Sequence, residues 1–177
     1  QVENILVEKP IFHKLIQYSN INNNKTFVGY NLRFHPLIIK LSNEIKNQKI
    51  LSVDAKVGSY LPHWRKGRDY KEIYSTNKTK GGGVLRDLSH EIDYLISIFG
   101  SVKELVALGG HYSSLSGNSD DIYKFILKMD KCEIVSLSLD YLNRLHQREI
   151  SVVTEKKSYF LDLNRNIFCE NGSKEYT

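Results

Sequence analysis

The residues of this sequence best suited to chemistry are one lysine, one histidine and one aspartate, spread over two segments. Lys9 sits in Glu8-Lys9-Pro10, directly after the apolar run Asn4 to Val7. A lysine ammonium is a compact charge whose pKa falls on desolvation, so at a strand tip beside a cleft it can polarise a substrate oxygen or donate a proton. His90 and Asp87 lie in Gly83-Val-Leu-Arg-Asp87-Leu-Ser-His90-Glu-Ile-Asp93-Tyr94, just after a run of three glycines. Three residues apart, they fall on one face of a helix. There a carboxylate can fix the imidazole tautomer and keep its pKa near the working range of a general base. The same spacing is also compatible with Asp87 complementing a helix N-terminus and His90 packing in a core.

A third segment is suited to binding. Tyr60-Leu-Pro-His-Trp64-Arg65-Lys-Gly-Arg-Asp-Tyr, continuing to Tyr74-Ser75, interleaves aromatic rings with guanidinium and carboxylate groups. Rings offer flat apolar area and charged groups offer directional hydrogen bonds, a combination that suits a sugar. It also suits single-stranded nucleic acid, or a loop that uses Trp64 as its own small core. Lys and Arg are scattered over the chain among 20 acids, with a net charge of +5. A concentrated polyanion-binding face is therefore not expected, and neither a nucleic-acid nor a membrane partner is implied.

The elements that must position these groups follow from periodicity. Short apolar runs predict strands at Asn4 to Val7 and Thr26 to Asn31. A helix is expected over residues 11–21, and another from Pro36 through Leu37, Ile38, Leu41 and Ile45. Ile50 to Ser59 reads as a strand, and residues 60–80 as a loop with neither period. The apolar stripe Val84, Leu85, Leu88, Ile92, Leu95, Ile96 and Phe99 predicts one helix ending at Gly100. Beyond it, strands are expected at Val102–Leu108, Ile122–Met129, Glu133–Leu142, Glu149–Thr154, Ser158–Leu163 and Ile167–Cys169, separated by turn residues that favour hairpins. The fold class is α+β, a mainly antiparallel sheet flanked by helices.

The chain of 177 residues is 41% hydrophobic and 25% charged, which supports one real core. It lacks an apolar run long enough for a membrane helix and a signal-peptide layout, so a cytoplasmic protein is expected. Cys132 and Cys169 have no metal-ligand spacing and read as buried thiols; no metal site is expected.

Taken in order, Glu8-Lys9-Pro10, Gly29-Tyr-Asn31-Leu-Arg33-Phe-His35-Pro36 and Gly81-Gly-Gly-Val-Leu-Arg-Asp87-Leu-Ser-His90-Glu-Ile-Asp93 resemble the ordered motifs of the Gfo/Idh/MocA oxidoreductases, the glucose-fructose oxidoreductase and inositol dehydrogenase family. The resemblance implies the C-terminal domain of a two-domain dehydrogenase without its Rossmann domain. Residues 1–10 would close the nucleotide-binding domain. Residues 11–177 would form a substrate-binding and oligomerisation domain, incomplete at its C-terminus. It further implies NAD or NADP as cofactor, bound mainly by the other domain with help from Glu8, Lys9 and Pro10. The substrate would be a sugar, cyclitol or nucleotide sugar, and the sheet would mediate homo-oligomerisation. Lys9 matches the family's active-site lysine, His90 its acid/base and Asp87 the acidic partner, although many members place that acid four residues before the histidine. Asn31, Arg33, Tyr60, Trp64, Arg65 and Tyr74 would line the substrate pocket. No G-x-G-x-x-G turn occurs in the sequence, so cofactor binding by this segment alone is not expected. A non-catalytic sugar-binding or dimerisation module is the alternative.

Overall fold

A computed structural model of the chain describes residues 3–12 and 25–176. Two short strands, β1 (Ile5–Val7) and β2 (Thr26–Val28), pair in parallel as a separate small sheet. The helix expected over residues 11–21 falls largely outside the described residues. The β-run expected to reach Asn31 stops at Val28 and gives way to a 3-10 turn at Asn31–Phe34.

Helix α1 (Pro36–Glu44) starts where proline fixes φ at its first position and His35 Nδ1 accepts from the Leu37 amide at 3.2 Å. Next come β3 (Ile50–Gly58), α2 (Val84–Asp87), α3 (His90–Phe99), β4 (Val102–Gly110), β5 (Ile122–Met129) and β6 (Cys132–Asp140). The remaining strands are β7 (Gln147–Thr154), β8 (Ser158–Asp162), β9 (Ile167–Glu170) and β10 (Ser173–Tyr176). Eight of the strands form one sheet in the order β10-β9-β8-β7-β3-β6-β5-β4, antiparallel throughout except where β3 pairs with β6. The α+β, mainly antiparallel reading therefore holds.

The helices cover one face of the sheet. Strand alternation sends Val53, Ala55 and Val57 of β3, Val135, Leu137 and Leu139 of β6, and Ile150 and Val152 of β7 inward, against Leu37 and Leu41 of α1 and Tyr94, Leu95 and Phe99 of α3. Each large side chain buried there contributes roughly 1.5–3 kcal/mol. On the other face polar groups pair, Ser136 donating to Asp54 at 2.8 Å and Lys56 meeting Glu149 at 2.9 Å, with Ile126 and Ile134 exposed among them. Cys132 and Cys169 are buried free thiols, as expected.

Two expectations are corrected. The helix read as continuous from Val84 to Phe99 is broken at Leu88 and Ser89, where Ser89 Oγ donates to the Arg86 carbonyl at 2.8 Å. The aperiodic segment 60–80 is ordered by four 3-10 turns. No helix among the described residues is long and apolar enough to cross a membrane.

Candidate active site

The one parallel pair decides where the site forms. Because β3 and β6 run the same way, their last residues, Gly58 and Asp140, are register neighbours, and the loops that follow leave the sheet at one end. Strand β7 begins there too, with Gln147 opposite Gly58. Between these loops and the start of α3 lies a cavity of about 630 Å³. Its walls are Ser59, Tyr60 and His63 to Arg65 from the first loop and Asn143, Arg144 and His146 to Arg148 from the second, with Asp87, Leu88 and His90 from the helical side and Lys9 from the N-terminal segment.

Asp87 anchors the helical wall. It is 5% exposed, and both carboxylate oxygens accept hydrogen bonds: Oδ1 from the Tyr74 hydroxyl at 2.9 Å and Oδ2 from the Tyr141 hydroxyl at 2.6 Å. The Lys9 ammonium donates to its backbone carbonyl. Burial, and then the Asp87 charge, push Tyr74 up to about 12, and the same causes raise Tyr141 further, so both stay protonated donors. The glycines make this packing possible. A Cβ on Gly82 would stand 2.1 Å from the Tyr74 carbonyl oxygen, and Gly83 takes φ 123°, a region nearly closed to other residues. Asp120 then satisfies the opening turn of α2, its carbonyl accepting from Val84 N at 2.9 Å and Oδ2 from Leu85 N at 3.0 Å.

These bonds make unequal predictions. Tyr141→Phe leaves an Asp87 oxygen buried without a donor and costs roughly 1–3 kcal/mol. Tyr74, which is 40% exposed, leaves a position that water can refill, so Tyr74→Phe costs about 0.5–1.5 kcal/mol. Urea unfolding of the two variants measures the order, and equal losses would contradict it.

His90 is held neutral by its surroundings. Burial is the largest cause, followed by the positive charges of Lys9 and Arg148; together they lower its pKa to about 4, with Asp93 opposing. Its Nδ1 is buried and has no hydrogen-bond partner among the described residues. The Tyr30 ring meets it edge-on at 5.6 Å. Lys9 is also lowered, by burial first. Behind them Glu91, 0% exposed, pairs with Arg148 at 2.9 Å from Nε to Oε1, and burial raises the Glu91 carboxyl against the pull of that guanidinium.

The structure thus brings Lys9, Asp87, His90, Tyr60, Trp64 and Arg65 to one cavity. Trp64 serves both readings of its loop: it lines the cavity while its indole N–H donates to the Ser59 carbonyl at 3.1 Å and its ring meets Tyr141 at 5.1 Å. The other expected site residues are placed differently. The Asp87 oxygens accept from two tyrosines, while His90 Nδ1 has no partner among the described residues, so no hydrogen bond joins Asp87 to that nitrogen. Arg33 lies outside the cavity in a bidentate pair with Asp93, at 2.6 and 2.7 Å, tying the 31–34 turn to α3, and Asn31 lies outside with it. Tyr74 reaches the site only through Asp87. Of Glu8, Lys9 and Pro10, only Lys9 lines the cavity.

Residue-type reasoning missed Tyr141, Glu91, Arg148 and the Asn143 to His146 loop. The one available signal for Arg148 is a guanidinium at the head of a strand whose inward residues Ile150 and Val152 are apolar.

A model of the GFO/IDH/MocA C-terminal domain matches residues 48–160. No curated protein matches the chain in sequence. Among solved structures, an oxidoreductase from Thermotoga maritima is similar at TM-score 0.80 and 14% identity, over 98% of this chain and 55% of that one. Levoglucosan dehydrogenase in complex with NADH and levoglucosan gives 0.70 and 18%, over 85% and 46%. An inositol dehydrogenase homolog complexed with NAD+ from Azotobacter vinelandii gives 0.69 and 13%, over 85% and 42%. The chain spans about half the length of these proteins. Their low identity makes the likeness one of fold, and the family match over most of the sheet carries the assignment: the chain belongs to the GFO/IDH/MocA C-terminal domain family.

Proposed function

We propose that this chain is the substrate side of a longer two-domain NAD(P)-dependent oxidoreductase that oxidises a hydroxyl of a sugar, cyclitol or nucleotide sugar, with His90 as acid/base and Lys9 assisting. The observation that carries this reading is the convergence of Lys9 and His90, far apart in sequence, on one cavity. Residues 1–10 complete the nucleotide-binding domain in this reading, and the rest forms the substrate domain. The residues fit the reacting end of a nicotinamide cofactor: a desolvated amine and a neutral imidazole line the wall, while the sequence holds no glycine-rich turn for the phosphates. Bound nicotinamide supplies the hydride acceptor or donor.

The chain's own groups handle the proton and the geometry. His90, neutral above about pH 4, accepts the hydroxyl proton during oxidation and returns it during reduction. Lys9, fixed through the Asp87 carbonyl, donates a hydrogen bond to the same oxygen and favours its deprotonated form. The Tyr60 and Trp64 faces exclude water and hold the ring. Such an enzyme works in the cytoplasm, where the nicotinamide pool supplies it.

The test is cofactor reduction by the full-length protein with a panel of sugars, cyclitols and nucleotide sugars, read as absorbance of the reduced nicotinamide. No reduction with any of them would overturn the reading. The non-catalytic dimerisation alternative draws on the uncovered sheet face, where Ile126 and Ile134 are exposed. We place a self-association surface there as well. Sedimentation measures it, and a monomer at all concentrations would remove it.

A further inference from the structure

The cavity carries more positive charge than the proposed proton transfer uses. Lys9, Arg65, Arg144 and Arg148 line it, against the single carboxylate of Asp87. Arg148 is offset by Glu91, and the Lys9 ammonium is engaged by the Asp87 carbonyl. Among the described residues no carboxylate lies within ion-pair reach of Arg65 or Arg144. Both are exposed, as are His63 and His146, whereas Asp87 is buried and His90 half-buried. The cavity therefore has a buried end, where the lysine and the imidazole meet, and an open end with two guanidiniums lacking a counter-ion.

The open end is also built rather than loose. The Arg144 guanidinium lies 4.0 Å from the centre of the Tyr60 ring, and that ring meets His63 edge-on at 4.9 Å. Contact through the flat face holds the guanidinium while leaving its in-plane N–H groups for a ligand. Asp140 Oδ1 accepts from the Leu142 and Asn143 amides at 3.0 and 2.7 Å, and Asn143 donates to Gln147 at 2.6 Å, which fixes the loop on either side of Arg144. His146 takes φ 48° and is retained there by Asn164, which donates to its carbonyl at 2.7 Å; its Nδ1 lies 2.8 Å from Ser59 Oγ. A planar fork of donors in a concave wall matches a carboxylate or phosphate in two-point geometry, and the uncompensated charge concentrates such anions.

We propose that Arg144 and Arg65 form an anion-binding pole, so that the substrate whose hydroxyl reaches His90 carries a carboxylate or phosphate group at its other end. The proposal rests on the dehydrogenase reading of this cavity and selects a substrate class within it: sugar acids or nucleotide sugars over neutral sugars and cyclitols.

Trp64 is the chain's single tryptophan and lines the cavity, so its fluorescence reports occupancy without turnover. The 177-residue chain is titrated with glucose, glucuronate, a uridine-diphosphate sugar and NADH, and the first three are then assayed with the full-length protein. Glucuronate or the nucleotide sugar should bind roughly tenfold to a hundredfold more tightly than glucose. Arg144→Gln should reduce that binding to the level of glucose with the thermal midpoint unchanged, and Arg65→Gln should weaken it. Preference for glucuronate identifies a carboxylate, and preference for the nucleotide sugar alone a phosphate. Equal binding of glucose and glucuronate with no nucleotide-sugar preference overturns the proposal, as does Arg144→Gln acting on NADH alone. Neutral sugars oxidised without anion preference would remove the pole and leave the dehydrogenase. Anions bound through Arg144 but never oxidised would do the reverse.

Discussion

Arg148→Met should destabilise the protein, and by roughly 1 kcal/mol more near pH 8 than near pH 5, because it removes the charge that compensates a buried carboxylate. Glu91 is fully enclosed, and its carboxyl is pushed up to about 7 from the usual 4.5, chiefly by burial, with Arg148 pulling the other way. A carboxyl whose folded pKa lies above its unfolded value binds a proton more tightly in the folded protein. Its contribution to stability is fully present below about pH 4.5 and is lost as pH rises through about 7. Without Arg148 the opposing pull vanishes and the Glu91 pKa climbs further, so the gap between variant and parent opens with pH. Glu91→Gln on top of Arg148→Met removes the charge and should recover most of the loss at pH 8, the double-mutant signature of a coupled pair. Denaturant midpoints at several pH values decide it. A gap that stays flat from pH 5 to pH 8 would mean that the guanidinium contributes packing and not charge compensation.

The Arg148–Glu91 pair also marks the boundary of what the sequence discloses. The inward residues of β3, β6 and β7 alternate plainly because only one face of the sheet is covered by helices, so each strand has a buried and a solvated side. Lys9 and His90 are visible as chemistry because few residue types can move a proton at neutral pH. Their convergence rests on a contact between Lys9 and the Asp87 carbonyl, and the loops that face them meet through a parallel β3–β6 pairing; no local period encodes either. Tyr141 reads as another apolar residue in a strand, and only its hydroxyl on Asp87 gives it a second role. Glu91 sits among the polar residues of a helix start, where an acid is unremarkable until its burial is known. The break at Leu88 and Ser89 is hidden for the opposite reason: Val84 before it, Leu88 within it and Leu95 after it all pack into the core, so the apolar stripe looks unbroken. Arg33 misleads by type, since a guanidinium suited to a substrate is satisfied instead by Asp93.

In the full-length protein His90→Ala should lower kcat by about a hundredfold to ten-thousandfold, the range lost when a positioned acid/base is removed. The sharper expectation concerns Lys9. Its positive charge is the second cause, after burial, of the lowered His90 pKa, and Arg148 is the third. A neutral isostere at position 9 therefore does two things at once. It removes the hydrogen bond that favours the deprotonated alcohol, which lowers kcat, and it lets the imidazole titrate closer to its usual 6.5. The acid limb of kcat/KM, expected well below 6.5 in the parent, should move upward in Lys9→Met, and ring-carbon NMR of His90 should show the same displacement without catalysis. Charge is the discriminating variable: Lys9→Arg should keep the low titration even where it disturbs the geometry enough to slow turnover. If Lys9→Met slows the reaction and leaves the His90 titration in place, the two side chains are not electrostatic neighbours in the working enzyme. In that case the lysine acts on the substrate alone. If His90→Ala turns over as fast as the parent, the proton leaves by another route and the role assigned to the imidazole falls.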